Sequence, residues 1–359
     1  MRVGWIRGGE RIDFSRPNVF LTLGTRGTGK SSLLEHIAEL YLQEGHVILD
    51  LFGSRDGEGL AWLRSPWAQD RRVLLICGDN ADLICSYPFK RISQIRLSDL
   101  EGNDILISAS PLYSSPTDEF TQVNQLINLL YKRLHWKRLV NVGVREAANL
   151  FHSRLKVSDN QVAAKSDATY LIRESRHMGL SMSIDTLKFT SVDIDIRSVA
   201  DYLILKSQGV TGLPDDLSFL YGFIEPHVFR KMPPGNFVIM SWQGSIGVGA
   251  FSEIPWHKQE REDLLRSLDI RIEHSEELKY GEERGTFKTI GDEEHTEILK
   301  LYLNNKLSMG KIASLKDRSP ASVKGQIDRH NEAIKRVGFC SVCKRAGGQY
   351  FRDQATRIL

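Results

Sequence analysis

The sequence predicts an α/β protein with a mainly parallel sheet, followed by a small all-α domain. Three observations carry this. Between residues 18 and 251, short apolar runs rich in β-branched residues alternate with segments of helical spacing. One of these runs ends directly in a glycine-rich turn that opens a helix. Beyond it, a stretch dominated by charge gives way to helical spacing alone. Strands alternating with helices argue for a parallel sheet covered on both faces, and the later change of pattern argues for a second domain.

Taken in order, Asn18–Leu23 is a buried strand entering a glycine turn, and Ser31–Glu44 carries Leu33, Leu34, Ile37, Leu40 and Tyr41 on one helical side. His46–Phe52 is the next strand, Gly53–Gly59 a loop, and Gly59–Leu63 the opening of a helix. Arg72–Cys77 and Asp104–Ser108 are further strands. Asp118–His135 is a long amphipathic helix with Val123, Leu126, Ile127, Leu130 and Leu134 inward. Arg138–Val144 follows as a strand, then a helix around Ala163–Met178, then strands at Leu180–Ile184 and Tyr202–Leu205. Gly235–Met240 and Gly244–Phe251 read as a hairpin or edge strands.

The chain has 359 residues, 41% hydrophobic and 26% charged, an ordinary globular balance with apolar material for about two domains. The expected division is a large α/β domain over residues 1–257, a charged linker over 258–291, and a small domain with a basic tail over 292–359. No apolar run approaches the roughly 20 residues of a membrane span, and Met1–Arg7 lacks the apolar core of a signal peptide, so the expected location is cytoplasmic. Between Ser308 and Leu359 there are 11 Lys and Arg against 4 Asp and Glu, a net +7, which leaves −4 on the rest. A basic tail on a mildly acidic body is the footprint of a polyanion partner, or else a solvated tail. The cysteines are Cys77, Cys85, Cys340 and Cys343, too few for a disulfide framework; Cys77 lies in an apolar run and reads as a core thiol.

The most specific feature is Gly24-Thr25-Arg26-Gly27-Thr28-Gly29-Lys30-Ser31, followed by Ser32. It fits the phosphate-loop pattern of glycine, four residues, glycine, lysine, then serine or threonine at every fixed position, with a strand before and a helix after. The glycines let successive backbone N–H groups turn toward phosphate oxygens, and the following helix offers its positive end. Lys30 would reach the outer phosphates, and the Ser31 hydroxyl would take Mg²⁺. The expected ligand is ATP with Mg²⁺.

Hydrolysis needs a second acidic site at the end of another strand. The candidate is Leu139–Val144 running into Arg145-Glu146-Ala147-Ala148-Asn149-Leu150. This segment resembles the Walker B segment of FtsK/HerA-type DNA-pumping ATPases, an apolar strand followed by Asp-Glu-Ala-His. Ile172-Arg173-Glu174-Ser175-Arg176-His177-Met178-Gly179 is similar to that family's Arg-Glu-x-Arg-x-x-Gly helix end, and Pro234–Ile239 to its Pro-Gly-x-apolar strand. Ser191–Ile196 matches a following loop only loosely. The resemblance spans residues 18–257 and implies a RecA-like P-loop NTPase fold. It implies that Glu146 polarises water, that Arg173 or Arg176 completes a neighbour's site as an arginine finger, and that the chain forms a homo-oligomer, a hexameric ring. Asp50 matches an acidic residue at the end of the second strand and is a candidate metal ligand beside Ser31.

Two positions depart from that pattern. Arg145 stands where the family has its Walker B Asp, and the family's sensor Gln stands as Asp185 or Thr186. A cation beside Mg²⁺ opposes it by charge repulsion. Either Arg145 swings away, or Asp50 or Glu146 substitutes, or turnover is slow. Plainer roles compete throughout: Glu146 as a favourable charge at a helix start, Arg173 and Arg176 as solvated helix charges, Asp50 as a loop cap.

In the C-terminal part, Glu293–Leu303 has Ile298, Leu299, Tyr302 and Leu303 at helical spacing. Ser308 offers a cap for Met309–Leu315, and Ser319 with Pro320 opens a third helix through Val323, Ile327 and His330. This order resembles helix-turn-helix DNA-binding domains. Ser322, Lys324, Gln326 and Arg329 would then face bases, and Lys311, Lys316 and Arg318 phosphates; a helical bundle for protein contact is the alternative. Cys340-Ser341-Val342-Cys343 has half of a zinc spacing, with His330 the nearest further candidate. Two thiols at a helix end are the favoured reading, so zinc is not expected. The function expected is a DNA-moving, DNA-packaging or DNA-partitioning ATPase. Its rivals are an ATP-gated DNA-binding regulator with little hydrolysis and a small-molecule kinase.

Overall fold

The computed structural model describes residues 1–52, 58–79, 81–107, 116–131, 138–151, 159–252, 254–257, 261–274, 290–316, 318, 320–343 and 345–346. They divide between two compact units, Met1–Glu276 and Glu277–Leu359.

The first unit contains strands β1 (Arg2–Arg7), β2 (Val19–Leu23), β3 (Val47–Phe52), β4 (Val73–Cys77), β5 (Ala81–Ile84), β6 (Phe89–Arg91), β7 (Ile105–Ile107), β8 (Val140–Val144), β9 (Leu180–Thr186), β10 (Tyr202–Leu205), β11 (Asn236–Ser241), β12 (Ile246–Ala250) and β13 (Arg271–His274). Its helices are α1 (Lys30–Gln43), α2 (Trp67–Asp70), α3 (Leu97–Gly102), α4 (Pro116–Tyr131), α5 (Asp159–Met178), α6 (Ile194–Ser198), α7 (Pro226–Arg230) and α8 (Arg261–Ser267). An 11-stranded sheet runs in the order β1-β12-β11-β10-β2-β9-β8-β3-β7-β4-β6. From β10 to β6 every described pairing is parallel, while β11, β12 and β1 extend the other edge antiparallel. The α/β class with a mainly parallel sheet is therefore present.

The topology explains where a ligand can sit. From β2 the chain crosses through α1 to β3 on one side; from β9 it crosses through α6 to β10 on the other. Right-handed crossovers running in opposite directions lie on opposite faces, which opens a crevice at the carboxyl ends of β2 and β9. Strand β2 is buried along its whole length, as a central parallel strand must be. Helix α1 packs Leu33, Leu34, Ile37, Ala38, Tyr41 and Leu42 inward; four of these are on the face its spacing predicts, while Leu40, also expected there, is only partly buried. Burying each of the larger side chains is worth about 1.5–3 kcal/mol, so the helix after the glycine turn is anchored on the sheet.

The expected charged linker needs correction. Residues 261–274 belong to the first unit: β13 pairs antiparallel with β5, and Leu264, Leu268 and Ile270 are buried in its core. Leu264 and Leu268 sit one helical turn apart within the charges. Strand β1, half-polar and at the sheet edge, was not expected from the sequence, nor were β5 and β6. Residues 275–289, Ser108, the 132–137 end of the predicted long helix and most of the 53–59 loop lie outside the described residues.

The second unit has helices α9 (Asp292–Leu303), α10 (Met309–Leu315) and α11 (Pro320–Val337), then a short hairpin of β14 (Phe339–Cys340) and β15 (Arg345–Ala346). Ser308 caps α10 by accepting from the Lys311 N–H, and Pro320 opens α11; Ser319 lies outside the described residues. Ile298, Leu299, Ile312, Ala313, Val323 and Ile327 form its small apolar centre, joined by Cys340 and Cys343. His295 of α9 and His330 of α11, the latter named from the sequence as the nearest further candidate, lie with these cysteines, all four buried. Gln326, expected to face bases, is buried and hydrogen bonded to His295. Lys316 pairs with Glu297 and Arg318 with Glu294, while Lys311, Lys324 and Arg329 are exposed.

Candidate functional site

Between β2 and α1 the chain turns through Gly24–Gly29. Gly27 and Gly29 take left-handed backbone, with φ of 72° and 79°. At Gly29 a side chain is excluded twice, since a Cβ would also lie 2.8 Å from the Pro234 carbonyl oxygen. The loop is strapped at its entrance. The Gly24 N–H donates to the Thr186 carbonyl at 3.3 Å, and the Thr25 N–H donates to the Ser207 carbonyl at 3.0 Å. The Thr28 hydroxyl closes the turn onto the Thr25 carbonyl at 2.8 Å. The loop thus hangs between the ends of β9 and β10, at the crevice the crossovers create. Gly29 is the N-cap of α1, with no side-chain cap and no acidic residue in the first turn. A helix start left uncapped in this way directs N–H groups and a positive dipole at whatever anion occupies the turn. Arg26 is exposed; Ser31 and Ser32 are partly exposed.

Lys30 is buried along its stem. Its Nζ donates to the Thr25 carbonyl at 3.2 Å and lies 3.8 Å from Glu146 Oε1. Glu146 has φ 47°, a left-handed conformation that costs a non-glycine residue roughly 1–3 kcal/mol and persists only when its surroundings enforce it. Asp185 enforces it: its Oδ1 accepts the Glu146 N–H at 2.7 Å and its carbonyl accepts the Ala147 N–H at 2.8 Å. Both residues expected at the sensor position therefore have work here, Asp185 on the Glu146 turn and Thr186 at the start of the phosphate loop.

Arg145 does not face the loop. Its guanidinium is fully buried, with Nη2 2.7 Å from Asp50 Oδ2 and 2.8 Å from Glu35 Oε1, and Nε 3.2 Å from Asp50 Oδ2. Glu35 Oε2 meets His257 Nδ1 at 2.9 Å. Asp50, a candidate metal ligand from the sequence, pairs with Arg145. The pairing follows from burial: a guanidinium sealed beside the interior strands β3 and β8 needs carboxylates around it. Glu35 and His257 were not identified from the sequence, although Glu35 sits one helical turn beyond Ser31.

Arg173 and Arg176 lie near the end of α5. Arg173 pairs with Asp195 at 2.9 Å, both about half exposed. Arg176 pairs with the buried Asp201, whose other oxygen accepts the N–H of Val19 at the start of β2.

Lys206, which follows β10 as Gly24 follows β2, also escaped sequence reading. It is fully buried, and its Nζ donates to the Pro234 and Asn236 carbonyls while lying over the Phe251 ring. Burial pulls its amine down to about 7. Its position directly after a buried strand was the available signal. A separate groove of about 670 Å³ lies beside β1 and β12, lined by Val3, Val228, Met232 and Phe237 among others.

No family model and no curated protein matches the chain. Among solved structures it is similar to the genome packaging NTPase B204 of Sulfolobus turreted icosahedral virus 2 in complex with AMP, at 15% identity and a TM-score of 0.41, over 66% of this chain and 98% of that one. It is also similar to the pCW3 conjugation coupling protein TcpA with ATPγS, at 15% identity and 0.41, over 74% and 70%. A third similarity is to the cytoplasmic domain of the Thermomonospora curvata type VII secretion ATPase EccC, at 15% identity and 0.38, over 68% and 25%.

Proposed function

We propose that this chain is a P-loop ATPase with a RecA-like catalytic unit, and that it couples ATP to the movement, packaging or partitioning of DNA. One observation carries the reading: the Lys30 ammonium and the Glu146 carboxylate meet 3.8 Å apart at the mouth of an uncapped helix, on a glycine turn that fits phosphate. Backbone N–H groups of Gly24–Ser32 would hold the phosphates, and Lys30 would move from Thr25 and Glu146 onto the outer ones. Glu146, aimed by its strained turn, would orient the attacking water. Mg²⁺ fits as an ion held by phosphate oxygens, water and Ser31, which is partly exposed beside Lys30, and it needs few protein ligands. When bound it would neutralise phosphate charge.

The second unit would supply the DNA contact as a helix-turn-helix module, through exposed Lys311, Lys324 and Arg329. Ring assembly would bring Arg173 to a neighbour's phosphates. Arg176 is better read as structural, since it carries buried Asp201. Arg145 favours a second reading, an ATP-gated DNA-binding regulator with little hydrolysis: the position expected to hold the metal's carboxylate is spent on a buried ion pair.

ATP turnover and nucleotide affinity, with and without DNA, separate the two. In the ATPase reading DNA stimulates turnover, Lys30→Ala loses nucleotide binding, and Glu146→Gln keeps binding but loses turnover by about 100-fold or more. Tight ATP binding with negligible turnover in the wild type supports the regulator. Unchanged affinity in Lys30→Ala overturns both.

A further inference from the structure

We infer that His295, His330, Cys340 and Cys343 form a structural zinc site that staples the second unit. The inference is independent of the function proposed for the first unit.

One ligand-type atom from each residue lies within 4.8 Å of all the others, and the four side chains are buried. Cys343 Sγ is 3.4 Å from His330 Nδ1, and Cys340 Sγ is 3.7 Å from His295 Nε2. Zinc–sulfur and zinc–nitrogen bonds of about 2.3 and 2.0–2.1 Å at a tetrahedral angle set sulfur and nitrogen about 3.6 Å apart, between those two distances.

The remaining nitrogen of His295 has a partner of the kind metal-bound imidazoles use. Its Nδ1 lies 2.8 Å from the Gln326 side-chain oxygen, so the proton belongs on Nδ1 and the Nε2 lone pair faces the cysteines. Gln326 is itself buried, and this bond gives it a reason to be.

Charge agrees with the placement. Cys340 and Cys343 would bind as thiolates, each releasing its proton to solvent, and with two neutral imidazoles they would balance Zn²⁺ to zero. A neutral cluster is the form a buried site tolerates. The fold agrees as well. The Cys-x-x-Cys segment comes after the left-handed Gly338 at the end of α11 and runs from the end of β14 into the turn that precedes β15, in a hairpin whose two-residue pairing is too short to hold itself. The apolar centre is small, and units of this size need a staple. Zinc would tie α9, α11 and the hairpin together with one group. Two cysteines and two histidines with every position filled from the protein leave none open for substrate, so the role is structural.

The test is metal content of the purified full chain by mass spectrometry, with cobalt exchange as a spectroscopic readout. The expected result is about one zinc per chain, and cobalt giving the intense visible bands of a tetrahedral ion together with thiolate charge transfer. His330→Ala should lower occupancy at least about tenfold, whereas His330→Cys, which supplies a thiolate in its place, should retain the metal. Retention in His330→Cys shows that loss in His330→Ala is loss of a ligand and not of the fold. A wild-type chain without stoichiometric zinc and without the cobalt spectrum, a Cys340–Cys343 disulfide in the purified protein, or full occupancy in His330→Ala would each overturn the assignment.

Discussion

Arg145 is the residue where the chain departs most from the resemblance it otherwise follows, and its surroundings say why it is tolerated. The guanidinium is buried between Asp50 and Glu35, so its charge is balanced before any nucleotide is considered. A buried pair of this kind is seldom a large net gain over an apolar substitute, but breaking it from one side is costly, because a charge is left behind in low dielectric. Arg145→Met should therefore destabilise the first unit by about 3–5 kcal/mol. Asp50→Asn in the same chain should recover part of that loss, since one of the two stranded carboxylates is gone. Urea denaturation of the two single variants and the double variant measures the coupling. Strictly additive costs would mean that the ion pair is not an energetic unit.

At the scale of elements, the Gly24–Gly29 turn is held by residues at the carboxyl ends of its neighbouring strands. Thr186 and Asp185 end β9, and Lys206 and Ser207 come directly after β10. Lys206 spans from β10 to the Pro234 turn that presses on Gly29, and burial holds its amine near 7 against an ordinary 10.5. In that interval the unfolded chain binds a proton that the folded chain does not, so stability should rise as pH climbs from about 7 toward 10. Above that range Tyr41 and Tyr202, both pushed up to about 12 by burial, act in the opposite sense, because the unfolded chain then ionises first. Lys206→Met should flatten the rise, and denaturation at a series of pH values should find its cost larger at pH 10 than at pH 7; an equal cost at both would exclude a neutral buried amine. These contacts also mark what the sequence could and could not disclose. The turn between β2 and α1 was legible because its glycines are closely spaced between an apolar run and a helical one, and helices α1, α9 and α10 because most of their buried faces repeat with the helical period. The partners of Arg145 lie 95 and 110 residues away, and those of Cys340 and Cys343 lie on two separate helices, so no local pattern joins them. Residues 261–274 were hidden differently, their few buried apolar side chains being outnumbered by charge.

For the molecule as a whole, the uneven charge makes a prediction that neither unit makes alone. The basic excess of +7 lies between Ser308 and Leu359, on a body that carries −4. Part of that excess is already neutralised within the second unit, where Lys316 and Arg318 hold Glu297 and Glu294; among the described residues Lys311, Lys324, Arg329, Lys335 and Arg336 are exposed, and the first three are the side chains proposed to meet DNA. Each cation seated on a phosphate displaces a condensed counterion, and the logarithm of affinity then falls with the logarithm of salt by about 0.9 per contact. Lys311 is expected on phosphate and Lys324 and Arg329 on base edges; if all three instead sit on phosphates, replacing them with Gln in the full chain should weaken DNA binding at low salt and make the salt slope shallower by about 3, equally for unrelated sequences, because backbone contacts carry no sequence information. Binding measured across a salt series on two unrelated duplexes distinguishes the outcomes. A smaller loss confined to one duplex would assign these side chains to base edges instead. An unaltered slope on both would mean that the basic excess is solvated, and that the polyanion, if DNA is one, is met by the first unit.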